Sequence, residues 1–490
     1  KTSTRLTHPP AMTRCIARTL LAVLAVASEA ANGLEKVVFS GRWFQAPGGM
    51  QFSWGTGTFL VRFLGTGLSA ELEPYALPMY HTCQVDQAEP QRIEHLSGLL
   101  SIASGLSAGE HLVRCGRSTE AFYGPTVLLG FRVEGAGGTL LEAPALSDKA
   151  LRVAFLGDSI TAGWQVLLPA GSTEQGGPGN EDAFRTWAAD LARSWTEDWR
   201  TVAQTSIGVL PHTSFGVPFA SMRDRFLCSE LQPYSSSCPK PWDFQWQADV
   251  VVINLGTNDF IFNDPSQCEF SAAYLELLET VRSKYPAALI FCIMPLVHTC
   301  KGDAKWQKMV QGITEAVARL RATDERVQLI NTGSFEAKWL NCAEDYVDGL
   351  HPTVAGGQKF AARLLPLLTP RIREVFPDKC LGTSCEGTPT TPTLRGSTTS
   401  ASSFTTSTST TTFETTHAGS AVCCYPDCGD PNKVCNDAEE SEFCVSSAAN
   451  CRQCGGELCG TAPSTSAGPV ATTAATTAAA TTTTTTTTTT

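Results

Sequence analysis

The stretch "VAFLGDSITAGW", residues 153–164, decides how the chain is read. Four apolar residues and a glycine lead into Asp158 and Ser159, then into another small-residue turn. A continuous apolar run bounded by turn residues marks a strand buried on both faces, and such strands belong to parallel sheets flanked by helices. An open parallel sheet presents its reactive groups at the carboxyl ends of its strands. Ser159 stands at such an end. Taken alone, the tip fits a local role equally well, with Asp158 capping the helix that follows.

The same alternation recurs outward from this point. Between residues 150 and 378, apolar runs such as "DVVVINLGTND" and "ALIFCIMPL" alternate with helical stretches such as "AFRTWAADLARSW", "AAYLELLETVRSKY" and "WQKMVQGITEAVARL". This predicts an α/β domain of three layers around a parallel sheet. Upstream, residues 34–145 carry short alternating runs, "FLVRFLG" and "HLVRC" among them, separated by glycine-rich turns, the pattern of a β-sandwich. Downstream, residues 386–421 form a Thr/Ser/Pro tract that cannot bury a core and reads as an extended linker. Residues 423–460 form a small module with eight cysteines, and residues 461–490 are a Thr/Ala tail.

Composition narrows the function. With 36 basic and 47 acidic residues among 490, a net charge of −11, the chain offers no basic face for a phosphate backbone, so nucleic acid is excluded as a partner. Residues 12–31 place Arg14 and Arg18 before the run "LLAVLAVA" and small residues, in the order of a secretory signal. That run is shorter than the ~20 residues needed to span a bilayer, and nothing later supplies a transmembrane segment. The expectation is a secreted protein. Removing Cys15 with the signal leaves 18 of 19 cysteines, an even number suited to an oxidising compartment where most are paired.

Two further strand ends bring chemistry to the tip of the sheet. "VVVINLGTNDF" delivers Asn258, and "YVDGLHPTVAGGQKFAARL" delivers Asp348 and His351 just before a helix. A serine hydroxyl is a poor nucleophile without a base in hydrogen-bond reach, and that base needs a carboxylate to fix its tautomer. His351 and Asp348 supply both, three residues apart. Acyl transfer also needs donors aimed at the developing oxyanion, for which the candidates are the Ser159 N–H, the Asn258 amide and a backbone N–H from "AQTSIGVLP".

These residues resemble the SGNH hydrolases, a branch of the GDSL esterases. Their first block is similar to "GDSIT" with nucleophile Ser159, their third to "GTND" with oxyanion donor Asn258, and their fifth to "DGLHP" with acid Asp348 and base His351. The second block departs from the family: Gly208 of "TSIGV" is one candidate for its glycine donor, and Ser206 is the other. The order "SGRW", "FSWGTGTFLVRFLGTGLSAEL", "CQVD", "LSAGEHLVRCGRSTE" and "LLGFRVE", followed by the GDSIT domain, resembles the two-domain acetyl esterases of carbohydrate esterase family 2 across roughly residues 36 to 370. The resemblance implies a flavodoxin-like SGNH domain behind a jelly-roll-like sandwich. It also implies removal of O-acetyl groups from polysaccharides such as xylan or glucomannan, with no cofactor and no metal.

Trp164, close after the nucleophile, is the candidate for stacking on a sugar ring, with packing under the loop as its plain alternative. The insert "QVLLPAGSTEQGGPGNED" is a candidate cleft rim. Asp345 reads as a solvated loop charge, and the cysteines from Cys83 to Cys385 as structural. The eight-cysteine module is expected to be knit by disulfides and is a candidate contact for carbohydrate or cell wall. Two other functions use the same residues: a GDSL lipase or lysophospholipase on longer acyl esters, and a catalytically silent carbohydrate-binding surface protein.

Overall fold

The computed structural model describes residues 33–73, 77–96, 98–214, 216–230 and 238–382, and three short strands beyond them. The signal-like segment, both Thr-rich tracts and most of the cysteine-rich block lie outside the described residues.

The N-terminal region is built from β1 (Val38–Ser40), β2 (Phe44–Ala46), β3 (Gly49–Phe52), β4 (Thr58–Gly65), β5 (Gly67–Leu72), β6 (Met79–Val85), β7 (Gln91–His95), β8 (Leu99–Ala103), β9 (Gly109–Arg117), β10 (Thr126–Glu134) and β11 (Thr139–Leu141). They form two antiparallel sheets, ordered β1-β4-β9-β6-β7, with β11 added on β4, and β2-β3-β10-β5-β8. Alternation builds the sandwich: along β4, Phe59, Val61 and Phe63 turn inward to a core shared with Trp43, Phe52, Leu68 and Val113. Cys83 and Cys115 face one another in the β6–β9 register and are disulfide-bonded.

The α/β region follows with β12 (Arg152–Gly157), α1 (Ser159–Ala162), α2 (Trp187–Trp195), β13 (Asp198–Ala203), β14 (His212–Ser214), β15 (Val217–Phe219) and α3 (Met222–Phe226). It continues with β16 (Val250–Asn254), α4 (Thr257–Phe262), α5 (Gln267–Lys284), β17 (Leu289–Ile293), α6 (Val297–Cys300), α7 (Ala304–Arg321), β18 (Val327–Ile330) and α8 (Val354–Val375). The parallel sheet is ordered β13-β12-β16-β17-β18, the doubly wound order whose switch point lies between its first and third strands, here β12 and β16. Every residue of β16 and β17 is buried, as two-sided cover requires.

Successive residues of β12 feed opposite layers. Val153 and Phe155 pack with Trp187, Leu191, Phe360 and Leu364 of α2 and α8. Ala154 and Leu156 pack with Tyr274, Leu278, Met309 and Ile313 of α5 and α7. Each large apolar side chain buried this way contributes about 1.5–3 kcal/mol.

The sandwich docks on the α/β region through polar anchors. Arg42 Nη1 donates to the carbonyls of Phe226 at 2.5 Å and Cys228 at 2.7 Å, and Trp54 Nε1 donates to Cys228 O at 3.1 Å. Arg92 Nη2 donates to Pro178 O at 2.6 Å and Glu181 O at 2.8 Å, clamping the insert that follows Ser159.

Among the described residues no helix is long and apolar enough to cross a membrane. Of the cysteine-rich block the structure describes the strands Val422–Tyr425, Val434–Asn436 and Glu457–Cys459, antiparallel with the first in the middle. The pairing of its cysteines lies outside the described residues.

Candidate active site

Asp158 follows β12 directly and caps α1, its Oδ1 accepting from the Ile160 N–H at 3.0 Å. The carboxyl is fully buried, and that burial pushes it up to about 6 against the hydrogen bond from Ile160 and the charge of His351. The cap makes Ser159 the first helical residue, aimed out of the sheet's end and 5% exposed.

His351 reaches the same point from the turn before α8. Its Nε2 lies 2.9 Å from Ser159 Oγ, and its Nδ1 lies 2.8 Å from Asp348 Oδ2. The turn is held locally: Asp348 Oδ1 accepts from the backbone N–H groups of His351 at 2.8 Å and Leu350 at 3.0 Å, and Val347 N–H donates to His351 O at 2.8 Å. Thr353 then caps α8. Burial raises the Asp348 carboxyl, but the hydrogen bond and charge of His351, together with these N–H groups, hold it well below the ordinary carboxylate range. An ionised carboxylate fixes the Nδ1–H tautomer, which leaves Nε2 free to accept the serine proton.

Asn258 opens the α4 turn beyond β16, and its Nδ2 donates to Ile207 O at 2.8 Å. The loop between β13 and β14 is thereby tied to the strand end next to Ser159. Ser206 has φ +63°, the left-handed shape that glycine adopts without strain. Gly208 has a different constraint: a Cβ there would stand 2.9 Å from Asp259 Oδ1. Asp259 is buried and accepts from the N–H groups of Val209 at 3.0 Å and Leu210 at 2.8 Å. Burial pushes its carboxyl up to about 7 in spite of those bonds. A trans peptide points its C=O and N–H in opposite directions. With Ile207 O turned to the Asn258 amide, the Gly208 N–H of the same peptide points away from it.

Ser159, Asn258 and the loop at residues 205–210 thus meet, at the β13-β12-β16 strand ends, the His351–Asp348 pair carried by the turn before α8. Residues 155–359 match the GDSL-like Lipase/Acylhydrolase family, and residues 39–144 match the Carbohydrate esterase 2 N-terminal family. The chain pairs a carbohydrate esterase 2 N-terminal domain with a GDSL-like acylhydrolase domain. It is 29% identical over 337 residues to the Cellulase/esterase CelE of Acetivibrio thermocellus, covering 67% of this chain and 38% of that protein. It is 28% identical over 163 residues to an Acetylxylan esterase / glucomannan deacetylase of Cellvibrio japonicus, covering 32% of this chain and 41% of that protein. The chain therefore spans well under half the length of either relative in these alignments. A family two carbohydrate esterase from Clostridium thermocellum, solved in complex with cellohexaose, shares 28% identity and a TM-score of 0.59 over 69% of this chain and 99% of that one.

Trp164 of the acylhydrolase domain is half-buried, and its indole lies against Gly176 of the insert so closely that a Cβ there would meet Trp164 Cε2 at 2.1 Å. Part of its surface is therefore committed to packing. Gln165, beside it, was not singled out from the sequence. With its amide oriented to suit its neighbours, it donates to Asp348 Oδ2 at 3.1 Å and accepts from Gly176 N–H at 3.1 Å, linking the insert to the acid. Asp259 stands in the same "GTND" block as Asn258 but was given no role of its own, and Glu120 was missed, because nothing in its local sequence signals a distant partner.

Asp345 corrects the sequence expectation. It is 2% exposed, not solvated, and accepts from Asn341 N–H at 2.8 Å and Lys359 Nζ at 2.6 Å, tying the acid–base turn to α8. Cys300 and Cys342 are bonded, as are Cys228 and Cys238, whereas Cys292 is unpaired and packs inside the sheet. Among the described residues, no group of three or more His, Cys, Asp and Glu side chains is arranged to hold a metal ion.

Proposed function

We propose that the protein is a secreted serine esterase that removes O-acetyl groups from polysaccharides of the xylan or glucomannan type. The observation that carries this reading is the continuous chain from Ser159 Oγ to His351 Nε2 at 2.9 Å and from His351 Nδ1 to Asp348 Oδ2 at 2.8 Å. Ser159 attacks the acetyl carbonyl as His351 takes its proton, and the sugar alkoxide leaves with that proton. Water activated by His351 then releases acetate. The oxyanion is held by the Ser159 N–H, the Asn258 Nδ2 and the Ser206 N–H, the last favoured over Gly208 by the left-handed backbone at Ser206 and by the direction of the Ile207–Gly208 peptide.

Support for the substrate class comes from the Cellvibrio japonicus acetylxylan esterase / glucomannan deacetylase and from the Clostridium thermocellum esterase that binds cellohexaose. Half of the insert at residues 165–182 is Gly, Ser, Glu and Gln, which suits a short acyl group and a hydroxyl-rich leaving group better than an alkyl chain. The signal-like segment supports secretion.

The test is acetate release by the purified chain from acetylated xylan and acetylated glucomannan, beside short-chain and long-chain esters, with Ser159→Ala as control. Release from polysaccharide that vanishes in the variant is the expected result. Preference for long acyl chains moves the protein to the lipases, and silence on every ester leaves a binding protein.

A further inference from the structure

The loop at residues 205–210 is held from two sides. On the α/β side, Asn258 binds Ile207 O and Asp259 binds the N–H groups of Val209 and Leu210. On the other side stands Glu120, which belongs to the sandwich, in the segment between β9 and β10. Its Oε2 crosses the domain boundary to accept from the Thr205 N–H at 2.5 Å. Thr205 is the residue immediately before Ser206.

Glu120 is itself rigidly seated. It is 1% exposed, its N–H donates to Glu181 Oε1, and its carbonyl accepts from Arg117 Nη2. Arg117 is fully buried and also donates to Thr119 O at 2.8 Å and Gly124 O at 2.5 Å, fixing the whole segment. A buried carboxylate is costly unless its position is rewarded by hydrogen bonds, and a left-handed serine persists only where its surroundings over-determine it. The Glu120–Thr205 contact meets the first condition for Oε2 and stands one residue before the left-handed Ser206.

We propose that Glu120 is a positioning residue for the oxyanion loop, so that the sandwich domain completes the active site of the α/β domain. This rests on the esterase reading. Without Glu120, the Gln204–Thr205 peptide, one before the peptide that carries the Ser206 N–H, loses its anchor on the sandwich side, and the Ser206 N–H is no longer aimed in advance at the developing negative charge. A donor that must be reoriented during the reaction loses most of its value.

The test compares Glu120→Ala and Glu120→Gln in the full chain on p-nitrophenyl acetate, with active-site titration. Glu120→Ala is expected to lower kcat per titrated site about 10–100-fold, with KM within about twofold. Glu120→Gln, whose carbonyl can still accept from Thr205, is expected to restore kcat to within about threefold of wild type. Affinity for a phenylboronic acid, which mimics the tetrahedral species, should fall in step with kcat/KM. A residue serving stability alone lowers melting temperature and titre while leaving kcat per site unchanged, and that result overturns the proposal, as does a glutamine variant no better than alanine. If the alanine variant does not fold, Glu120→Asp, which keeps the carboxyl group and shortens the reach, takes its place with the same expected loss. Should wild type turn over no acetyl ester, the functional reading fails separately. The rate at which a p-nitrophenyl phosphonate labels Ser159, followed by mass spectrometry, then decides: slower labelling of the variant supports the positioning role, and equal rates overturn it.

Discussion

Replacing Asp348 with asparagine tests the acid–base turn more sharply than removing it. Asp348 Oδ1 already accepts two backbone N–H groups, from His351 at 2.8 Å and Leu350 at 3.0 Å, while Oδ2 faces His351 Nδ1 at 2.8 Å. An isosteric asparagine must keep its carbonyl oxygen on the two N–H donors. Turning the amide over leaves both unsatisfied at roughly 1–3 kcal/mol each. The NH2 group therefore faces Nδ1, the imidazole proton moves to Nε2, and the ring presents a donor to Ser159 Oγ instead of an acceptor. Reaching the productive tautomer costs roughly 2–6 kcal/mol, which at about 1.4 kcal/mol per tenfold is a loss of about 30-fold to 10⁴-fold in kcat/KM. Asp348→Ala leaves the imidazole free to choose its tautomer, so alanine is expected to be the more active of the two. Kinetics on p-nitrophenyl acetate normalised by active-site titration, with circular dichroism as the folding control, read this directly. An asparagine variant within tenfold of wild type, or above alanine, would refute the argument.

Asp259, held up to about 7 by burial, has a folded pKa above its unfolded value near 4. Its contribution to stability is therefore full below about pH 4 and is lost as pH rises through 7. Asp259→Asn should gain on wild type between pH 5 and pH 8, by up to about 3 kcal/mol; a calorimetric difference that is flat or opposite in sign would show that the carboxyl is not buried in this way. Gly208→Ala, whose Cβ would lie 2.9 Å from Asp259 Oδ1, should displace the loop and cut kcat by at least about tenfold, with KM little changed. Ser206→Gly should keep activity within about threefold, since glycine suits φ +63° and only the backbone N–H is required; a large loss would implicate the hydroxyl. Replacing Cys83 and Cys115 by serine, 32 residues apart, should destabilise the sandwich by about 3–4 kcal/mol in denaturant melts.

What the sequence disclosed follows from the range of the forces involved. The strands β12, β16 and β17 were legible because burial on both faces leaves unbroken apolar runs. The sandwich was legible because burial on one face leaves alternation, as along β4. Asp348 and His351 were legible as a pair because three residues of chain suffice to close their contact. The loop at residues 205–210 was not, since the backbone angle at Ser206 and the direction of the Ile207–Gly208 peptide are set by contacts far along the chain. Asp345 was misread because it becomes buried only when α8 brings Lys359 over it, 14 residues on. Glu120 was invisible, as its partners Glu181 and Thr205 lie 61 and 85 residues away, across a domain boundary.

The Cys300–Cys342 bond joins the helix that follows β17 to the loop leading into Asp348. Ser159 and Asn258 follow directly on sheet strands and need no such fastening, but Asp348 and His351 sit on a turn whose covalent mooring depends on oxidation. Material folded in a reducing cytosol would carry the same Ser159 on the same scaffold with that turn untethered. Two preparations of identical sequence can then differ in the fraction of molecules competent to react. The redox history of a sample thereby becomes part of its specific activity, and counting competent sites precedes any comparison of variants.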